Sequence, residues 1–463
     1  MNATLQCISP IDNSIVVERS YASSDDIDTA LNLARAVQPE WRRQSLAERQ
    51  RYCSEMLDRF LARQDKIAGE ITWQMGRPIR YAALEVSGME ERGRCMIELS
   101  EGALAPHRPG VRTGFKRWIQ REPLGLVFVI APWNYPYLTA INAVLPALLS
   151  GNCVLLKHSA QTPLCAERLF QAFSEAGLPA GVFQYLHLTH ADTEKIVADG
   201  RTDFVAFTGS VAGGKMVERA CSGRFIGTGL ELGGKDPAYV RADAALQQAV
   251  ETVMDGAFFN SGQSCCGIER VYVHESVYDA FVAAAVEWVG QLRLGRSDDP
   301  QTTLGPMVNA GAADFVRNQI HEALALGARA LVDPVRFPLD APGSAYLAPQ
   351  VLVGVDHRMR VMTEESFGPI VGIQKVSSDA EALALMNDSD YGLTAAIFTR
   401  DIEAGIELGQ QVATGTFFIN RCDYLDPELA WTGIKNSGHG CTLSRFGFDA
   451  LTRPKSFHIK TEL

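Results

Sequence analysis

What the 463-residue chain lacks narrows its chemistry first. Ten cysteines are too few for a disulfide scaffold, and at 7, 53, 95, 153, 165, 221, 265, 266, 422 and 441 they form no CxxC pair. Neighbouring Cys265 and Cys266 would bridge only through a strained ring, so reduced thiols of a cytoplasmic protein are expected. No His/Cys cluster has ligand spacing, and no metal is expected. Positive charge is also short: Lys+Arg 43 against Asp+Glu 54 leaves −11, which gives no general attraction for nucleic acid or an anionic membrane. The chain has no internal repeat, low-complexity tract or evident linker. At 46% apolar and 21% charged residues, with a mean hydropathy of −0.02, it is neither disordered, collagen-like nor polytopic. Met1 to Val16 carries Asp12 and no sustained apolar core, so it is not expected to be a signal peptide.

One long run lacks charge altogether, from Pro123 to Leu156. Its length suits a bilayer span, but Pro123, Pro132, Pro136 and Pro146 interrupt it, with Asn134, Asn142 and Asn152 between them. The run parses as a buried strand (126–131), a helix (137–149) and a second buried strand (153–157). A covered parallel sheet requires that arrangement.

Residues 24–100 read as helices, one of them opened by the capping box Ser45-Leu-Ala-Glu48 and carrying Met56, Leu57, Phe60 and Leu61 on one face. Then come a helix over 162–176, closed by Gly177-Leu-Pro179, and strands at 183–188, 204–207 and 225–232. This alternation predicts a doubly wound α/β fold. It resumes after Lys235, with helices at 242–257, 275–291 and 379–387 and strands at 271–274, 345–353, 370–376, 395–399 and 415–420. The tail 456–462 alternates apolar and polar residues like an edge strand.

Four clusters carry candidate chemistry. Ala131-Pro132-Trp133-Asn134-Tyr135-Pro136 lies where a buried strand meets a helix. Asn134 there either fixes a turn between prolines or donates to a developing oxyanion. Phe207-Thr-Gly209-Ser210 with Gly214 follows a strand; it either turns the chain or lets a helix N-terminus approach a pyrophosphate. It is not a Walker loop, because Met216 follows Lys215. Glu231-Leu-Gly-Gly-Lys235 puts a carboxylate at a strand end, and Asn260-Ser-Gly-Gln-Ser-Cys265-Cys266 puts thiols in a loop of small residues. Those suit a general base and a nucleophile, whereas Cys53, Cys95, Cys153 and Cys165 read as small hydrophobes.

Taken together, and with Lys157, Glu365-Ser-Phe367-Gly-Pro369, Asn420 and Gly433-Ile-Lys435-Asn-Ser437-Gly438, these motifs resemble those of the aldehyde dehydrogenase superfamily, in the family's order, from about residue 7 to the C-terminus. The resemblance implies NAD(P)-dependent oxidation of an aldehyde to its acid through a Cys265 thiohemiacetal and thioester. Glu231 would be the base, and Asn134 and the Cys265 N–H the oxyanion donors. Lys157, Gly209, Ser210, Gly214, Trp133, Glu365 and Phe367 would bind the cofactor. It implies a Rossmann-like cofactor domain (1–100 and 124–233), an α/β catalytic domain (234–447) and a small β oligomerisation element (101–123 and 448–463) whose tail joins a partner in a homodimer or homotetramer. A CoA-acylating relative and a catalytically silent member are the rivals; retained Glu231, and the full set of Asn134, Glu231 and Cys265, count against them.

The chain departs from the family where many NAD-specific relatives carry Glu, three residues after Lys157; Ala160 stands there. NAD and NADP both stay open, with Lys157 or His158 as candidates to face a 2′-phosphate. A glycine pair common after the next strand is replaced by Leu186-His-Leu188. Tyr135 and Asn142 are expected to face the substrate entrance, with no arginine at Tyr135, Asn142 or Cys266. Asp423, Asp426 and Glu428 lie in a stretch that either lines the tunnel's outer part or forms a solvated loop.

Overall fold

In the computed structural model, which describes residues 4–462, two sheets of mostly parallel strands organise the chain. The first three residues of the N-terminal reading and Leu463 lie outside it. The uncharged run folds as its breakers dictate: strand Leu126–Ala131, helix Pro136–Leu149 and strand Cys153–His158, with every strand residue buried. These strands sit centrally in a six-stranded sheet, in the spatial order 438–439, 227–231, 204–208, 126–131, 153–158, 183–185. Pro136 begins its helix at the first position, where a missing N–H costs nothing, and Pro146 is accommodated within it.

Helices Ser24–Trp41, Leu46–Leu61, Gln64–Met75 and Ile79–Leu104 cover this sheet and share its apolar core. Ser45 caps the second of them by accepting from the Glu48 N–H. Met56, Leu57 and Phe60 are buried as their spacing requires, and Leu61 is half-buried. Among the described residues no helix is long and apolar enough to cross a membrane.

The second sheet has seven strands, in the order 329–330, 350–353, 370–376, 268–274, 236–240, 394–398, 416–419. Two of its parts are absent from the sequence reading. Asp236–Val240 is a buried strand directly after the Gly233-Gly234 turn, so the helix expected from 242 begins only at Leu246. Ala310–Ala325 is a helix, capped by Asn309. The strand expected over 183–188 shortens to Phe183–Tyr185, because Leu188 and Thr189 already turn into a helix capped by Thr189.

The tail corrects another expectation. Thr452–Lys460 pairs antiparallel with Phe115–Pro123 of its own chain over nine residue pairs, not with that segment of a partner. Phe457 stacks on Trp118, opposite it in the ladder, at 4.4 Å between ring centroids, and Phe115 stacks on His458 at 4.9 Å. Residues 101–104 belong to the Ile79–Leu104 helix, so this two-stranded ribbon proper starts at Phe115.

The two sheets are stitched near residue 435. Gly438 and His439 add an antiparallel edge beside Glu231 and Leu230, while Ile434 and Lys435 pair with Gly392 and Tyr391. Ser437 Oγ donates to the Gly233 carbonyl and accepts from the Gly392 N–H.

Candidate active site

The loop that carries Cys265 is built against backbone preference. Asn260, Ser261 and Gly262 are consecutive left-handed residues at φ +52°, +58° and +69°. For non-glycine residues that conformation costs roughly 1–2 kcal/mol each, so surrounding bonds must impose it. Asn260 Nδ2 donates to the Gln263 carbonyl at 3.1 Å, and Ser261 Oγ to the Gly305 carbonyl at 2.8 Å. Gly262 can only be glycine, since a Cβ there would lie 2.1 Å from the Gly368 carbonyl oxygen.

Asn134 ends the approach to the same loop from the other side. It is buried, and its Nδ2 donates to the Gln263 carbonyl at 3.2 Å. Its own carbonyl accepts from Arg77 Nη2 at 2.5 Å and Asn260 Nδ2 at 3.4 Å. Arg77 in turn pairs with Glu85 at 2.5 Å, and both side chains are almost fully buried. Glu85 accepts the N–H groups of Tyr137 and Leu138, at the start of the Pro136–Leu149 helix. One buried network therefore fixes both the Asn134 turn and the Cys265 loop. The backbone N–H of Cys265 donates to nothing among the described residues, which leaves it available to a ligand oxygen.

Two cavities meet at this thiol. One, of about 280 Å³, is lined by Arg92, Tyr135, Asn142, Phe259, Cys266, Asp423 and Trp431 among others. The second, of about 370 Å³, runs past Trp133, Asn134, Gly209, Ser210, Glu365 and Phe367. Cys265, Glu231, Thr139, Thr208 and Leu232 line both. Burial raises the Glu231 carboxyl above its ordinary value, opposed by hydroxyl bonds from Thr442 and Thr208 and by the nearby Arg92 charge. A carboxyl tuned upward in this way is a stronger base, once ionised, than an ordinary carboxylate.

The second cavity fits a dinucleotide by its shape and donors. Ser210 caps helix Val211–Cys221 by accepting from Gly213 N–H, and that N-terminus opens at the cavity wall. Gly214 lets the helix pack closely, since a Cβ would come within 2.7 Å of the Leu232 side chain. Lys157 ends its strand buried, with no ion-pair partner among the described residues, and burial lowers its ammonium to about 8. Gly214 and Lys157 lie outside the wall of the 370 Å³ cavity, unlike the other predicted cofactor residues. Glu365 accepts the Gly234 N–H at 3.0 Å, and burial, together with the neighbouring Glu269, raises its carboxyl to about 8. Gly233 makes room for it, because a Cβ there would overlap that carboxylate. Trp133 and Phe367 meet edge to face at 5.7 Å.

His158 is removed from the phosphate-facing candidates. It is buried, with Nε2 3.0 Å from the Pro136 carbonyl and Nδ1 bonded by Ser159 N–H and Thr162 Oγ1, and burial lowers it to about 4. It holds two turns together as a neutral ring. The acidic trio divides: Asp426 and Glu428 are exposed, while Asp423 enters the substrate-side wall, where Ser264 Oγ and Cys266 Sγ bond it at 3.2 and 3.0 Å. Burial raises the Asp423 carboxyl to about 7. Tyr135 and Asn142 both line the substrate-side cavity, as expected.

Sequence reasoning missed Arg77, Glu85, Arg92 and Thr442. Thr208 and Asn260 had a signal, since they sit inside the Phe207–Ser210 and Asn260–Cys266 motifs, whereas nothing local marks Arg77 or Thr442. Among the described residues no cluster could hold a metal ion.

Two sheets of mostly parallel strands, with a thiol and a carboxylate where two cavities join, make an α/β protein with a nucleophile and a candidate base set between two ligand-sized spaces. The chain belongs to the aldehyde dehydrogenase family, which it matches over residues 1–457. It is 34% identical, over 92% of both chains, to Sad, a succinate semialdehyde dehydrogenase of Escherichia coli K12 named for NAD(P)+. It is 33% identical to an NADP(+) succinate-semialdehyde dehydrogenase of Mycobacterium bovis, over 98% of this chain and 99% of that one. The solved succinic semialdehyde dehydrogenase of Streptococcus pyogenes, in complex with NADP+, superimposes with a TM-score of 0.94 at 28% identity, over 98% of this chain and all of that one.

Proposed function

We propose that this family member oxidises an aldehyde to its carboxylic acid with NAD(P)+, with Cys265 as nucleophile and Glu231 as base. The observation that carries the residue assignment is the meeting of two cavities at that pair. The aldehyde enters from the Tyr135–Asp423 side. Cys265 Sγ, as thiolate, attacks the carbonyl carbon, and the oxyanion accepts from Asn134 Nδ2 and the free Cys265 N–H. When bound in the second cavity, the oxidised nicotinamide supplies the hydride acceptor. Glu231 then takes a proton from the water that cleaves the Cys265 thioester, and the acid leaves by the substrate side.

The residues of the second cavity, with Gly214 and Lys157 outside its wall, would hold the dinucleotide by position and charge. The Ser210-capped helix N-terminus and Gly209 would face the pyrophosphate, with Gly214 allowing the approach. Lys157 and Glu365 would bond ribose hydroxyls, and Trp133 and Phe367 would wall the ring. With Ala160 in place of a carboxylate, nothing there repels a 2′-phosphate, so NADP as well as NAD is accommodated.

Glu231→Gln tests the base. Turnover is expected to fall on the order of 10²-fold, with folding spared and the acid limb of the pH–rate profile flattened. That limb should lie above the ordinary carboxylate range in the parent enzyme, because burial raises the group and only its ionised form accepts a proton. Near-normal turnover of the variant at neutral pH would remove Glu231 from the mechanism.

We also infer a cytoplasmic homodimer or homotetramer. The ribbon of Phe115–Pro123 and Thr452–Lys460 is only two strands wide, and such a ribbon is marginal unless its edge or face is covered. A second copy is the natural cover. Deleting residues 455–463 should lower the molar mass measured by light scattering; a truncated chain with the full oligomer mass overturns this reading.

A further inference from the structure

Arg92 is a buried cation that the reaction above does not use. It lies on the Ile79–Leu104 helix, 8% exposed, in the wall of the cavity that leads to Cys265. Its Nη1 donates to the Leu138 carbonyl at 2.9 Å and to Asn142 Oδ1 at 3.4 Å, both neutral oxygens. Nε and Nη2 have no hydrogen-bond partner, and the guanidinium forms no ion pair, among the described residues.

A buried guanidinium with no ion-pair partner, stabilised only at a distance by Glu85 and Glu231, is costly and calls for a closer counter-charge. The carboxylates around it are already engaged. Glu85 is paired with Arg77, and Glu231 is bonded by Thr208 and Thr442. Asp423 accepts from Ser264 and Cys266, and Glu91 accepts from the Tyr424 hydroxyl. Asp255 is exposed, at the cavity rim. Each acid on this wall is committed or solvated, and the one cation faces the cavity with donors to spare. Asn142, beneath it, holds the guanidinium plane through Nη1 and so leaves the other edge of the fork open.

We propose that Arg92 determines substrate specificity by binding an anionic group, a carboxylate, at the end of the aldehyde remote from the formyl carbon. The proposal rests on the aldehyde-oxidising reading and assigns its substrate class: short aldehydes bearing a carboxylate. A cavity of about 280 Å³ lies at the small end of ligand pockets, which suits a compact molecule anchored at both ends. The formyl end is placed by Cys265 and Asn134 and the charged end by Arg92. Binding energy from the remote anchor then orients the reacting carbon.

The test compares ω-oxo carboxylic acids of three to six carbons with their methyl esters, using the full-length enzyme with NAD+ and with NADP+. The parent should favour the free acid in kcat/KM by on the order of 10²-fold. Arg92→Gln should collapse that acid-to-ester ratio by a similar factor, mainly through KM, and Arg92→Lys should keep part of it, because charge without the planar fork still attracts an anion. A merely structural arginine would lower both substrates alike and leave the ratio unmoved. Inhibition of the parent enzyme removes any dependence on variant folding: dicarboxylates, shaped like the product, should compete with the aldehyde far better than monocarboxylates of equal length. Ester oxidation with an unmoved ratio, or equal inhibition by the two acid classes, overturns the role of Arg92 and leaves the aldehyde reading standing. Oxidation of neither acid nor ester overturns both.

Discussion

Cys265→Ser is expected to reduce aldehyde oxidation by on the order of 10³-fold or more, with cofactor binding close to that of the parent. A serine hydroxyl at neutral pH is a far weaker nucleophile than a thiolate, and Glu231, the candidate base that lines both cavities with it, is shared with the hydrolytic step. Cofactor titration by fluorescence, together with steady-state rates, separates the two effects, because the thiol reacts but does not support the dinucleotide. Cys266→Ser is the control. Its Sγ points at Asp423, 3.0 Å away, and the hydrogen bond with the adjacent Cys265, together with burial, pushes its thiol well above the usual range, so it is neither ionised nor aimed at the carbonyl. Its replacement should cost less than about tenfold, since a hydroxyl can make the same bond. Activity lost with Cys266→Ser and retained with Cys265→Ser would shift the nucleophile by one residue.

Arg77→Met should give the largest loss of stability of any single change near the site, about 3–5 kcal/mol. Removing the cation leaves Glu85 buried and unpaired and takes a donor from the Asn134 carbonyl. It also frees Asn260, whose Oδ1 accepts from Arg77 Nε at 3.1 Å, so the left-handed Cys265 loop loses one of its restraints. Urea denaturation measures the first effect and residual turnover the second. A midpoint within experimental error of the parent's would show that the Arg77–Glu85 pair holds nothing together.

The fold was legible wherever one signal dominated. The strands at 126–131 and 370–376 and the helix at 379–387 match residue for residue, because apolar-rich segments bounded by Gly, Pro or a Ser cap leave little choice. Strand 236–240 was hidden because it starts directly after Lys235, the end of a motif that draws attention as chemistry. Helix 310–325 was hidden by a weak apolar stripe; only Ala313, Val316, Gln319 and Ala323 are buried along it.

Within the site, the residues that line the cavities stood out because they occur in clustered motifs at strand ends. Those that hold them did not. Arg77 comes from the loop before the Ile79–Leu104 helix, and Glu85 and Arg92 from that helix, far upstream, and their meaning depends on which carbonyl or carboxylate each reaches across the fold. A buried ion pair leaves no local pattern in a sequence, because one of its members looks like any surface arginine until the partner is located. Asp423 shows the same limit. Its neighbours Asp426 and Glu428 are solvated, and only a backbone at φ +49° turns the first of the three inward.

The crossing of residues 434–439 between the two sheets ties together the segments that carry Glu231 and Cys265. Glu231 sits in the ladder that Gly438 extends, and the same short segment reaches Gly392 beside the other sheet. The fold thus has a common failure point. Sliding or melting of one core away from the other breaks the Ser437 clasp, so under the proposed mechanism the hydrolytic and nucleophilic halves of the chemistry are coupled. That coupling disfavours a partly unfolded molecule stalled as an acylated thiol with its water-activating group withdrawn, a state in which the enzyme would be blocked by its own intermediate.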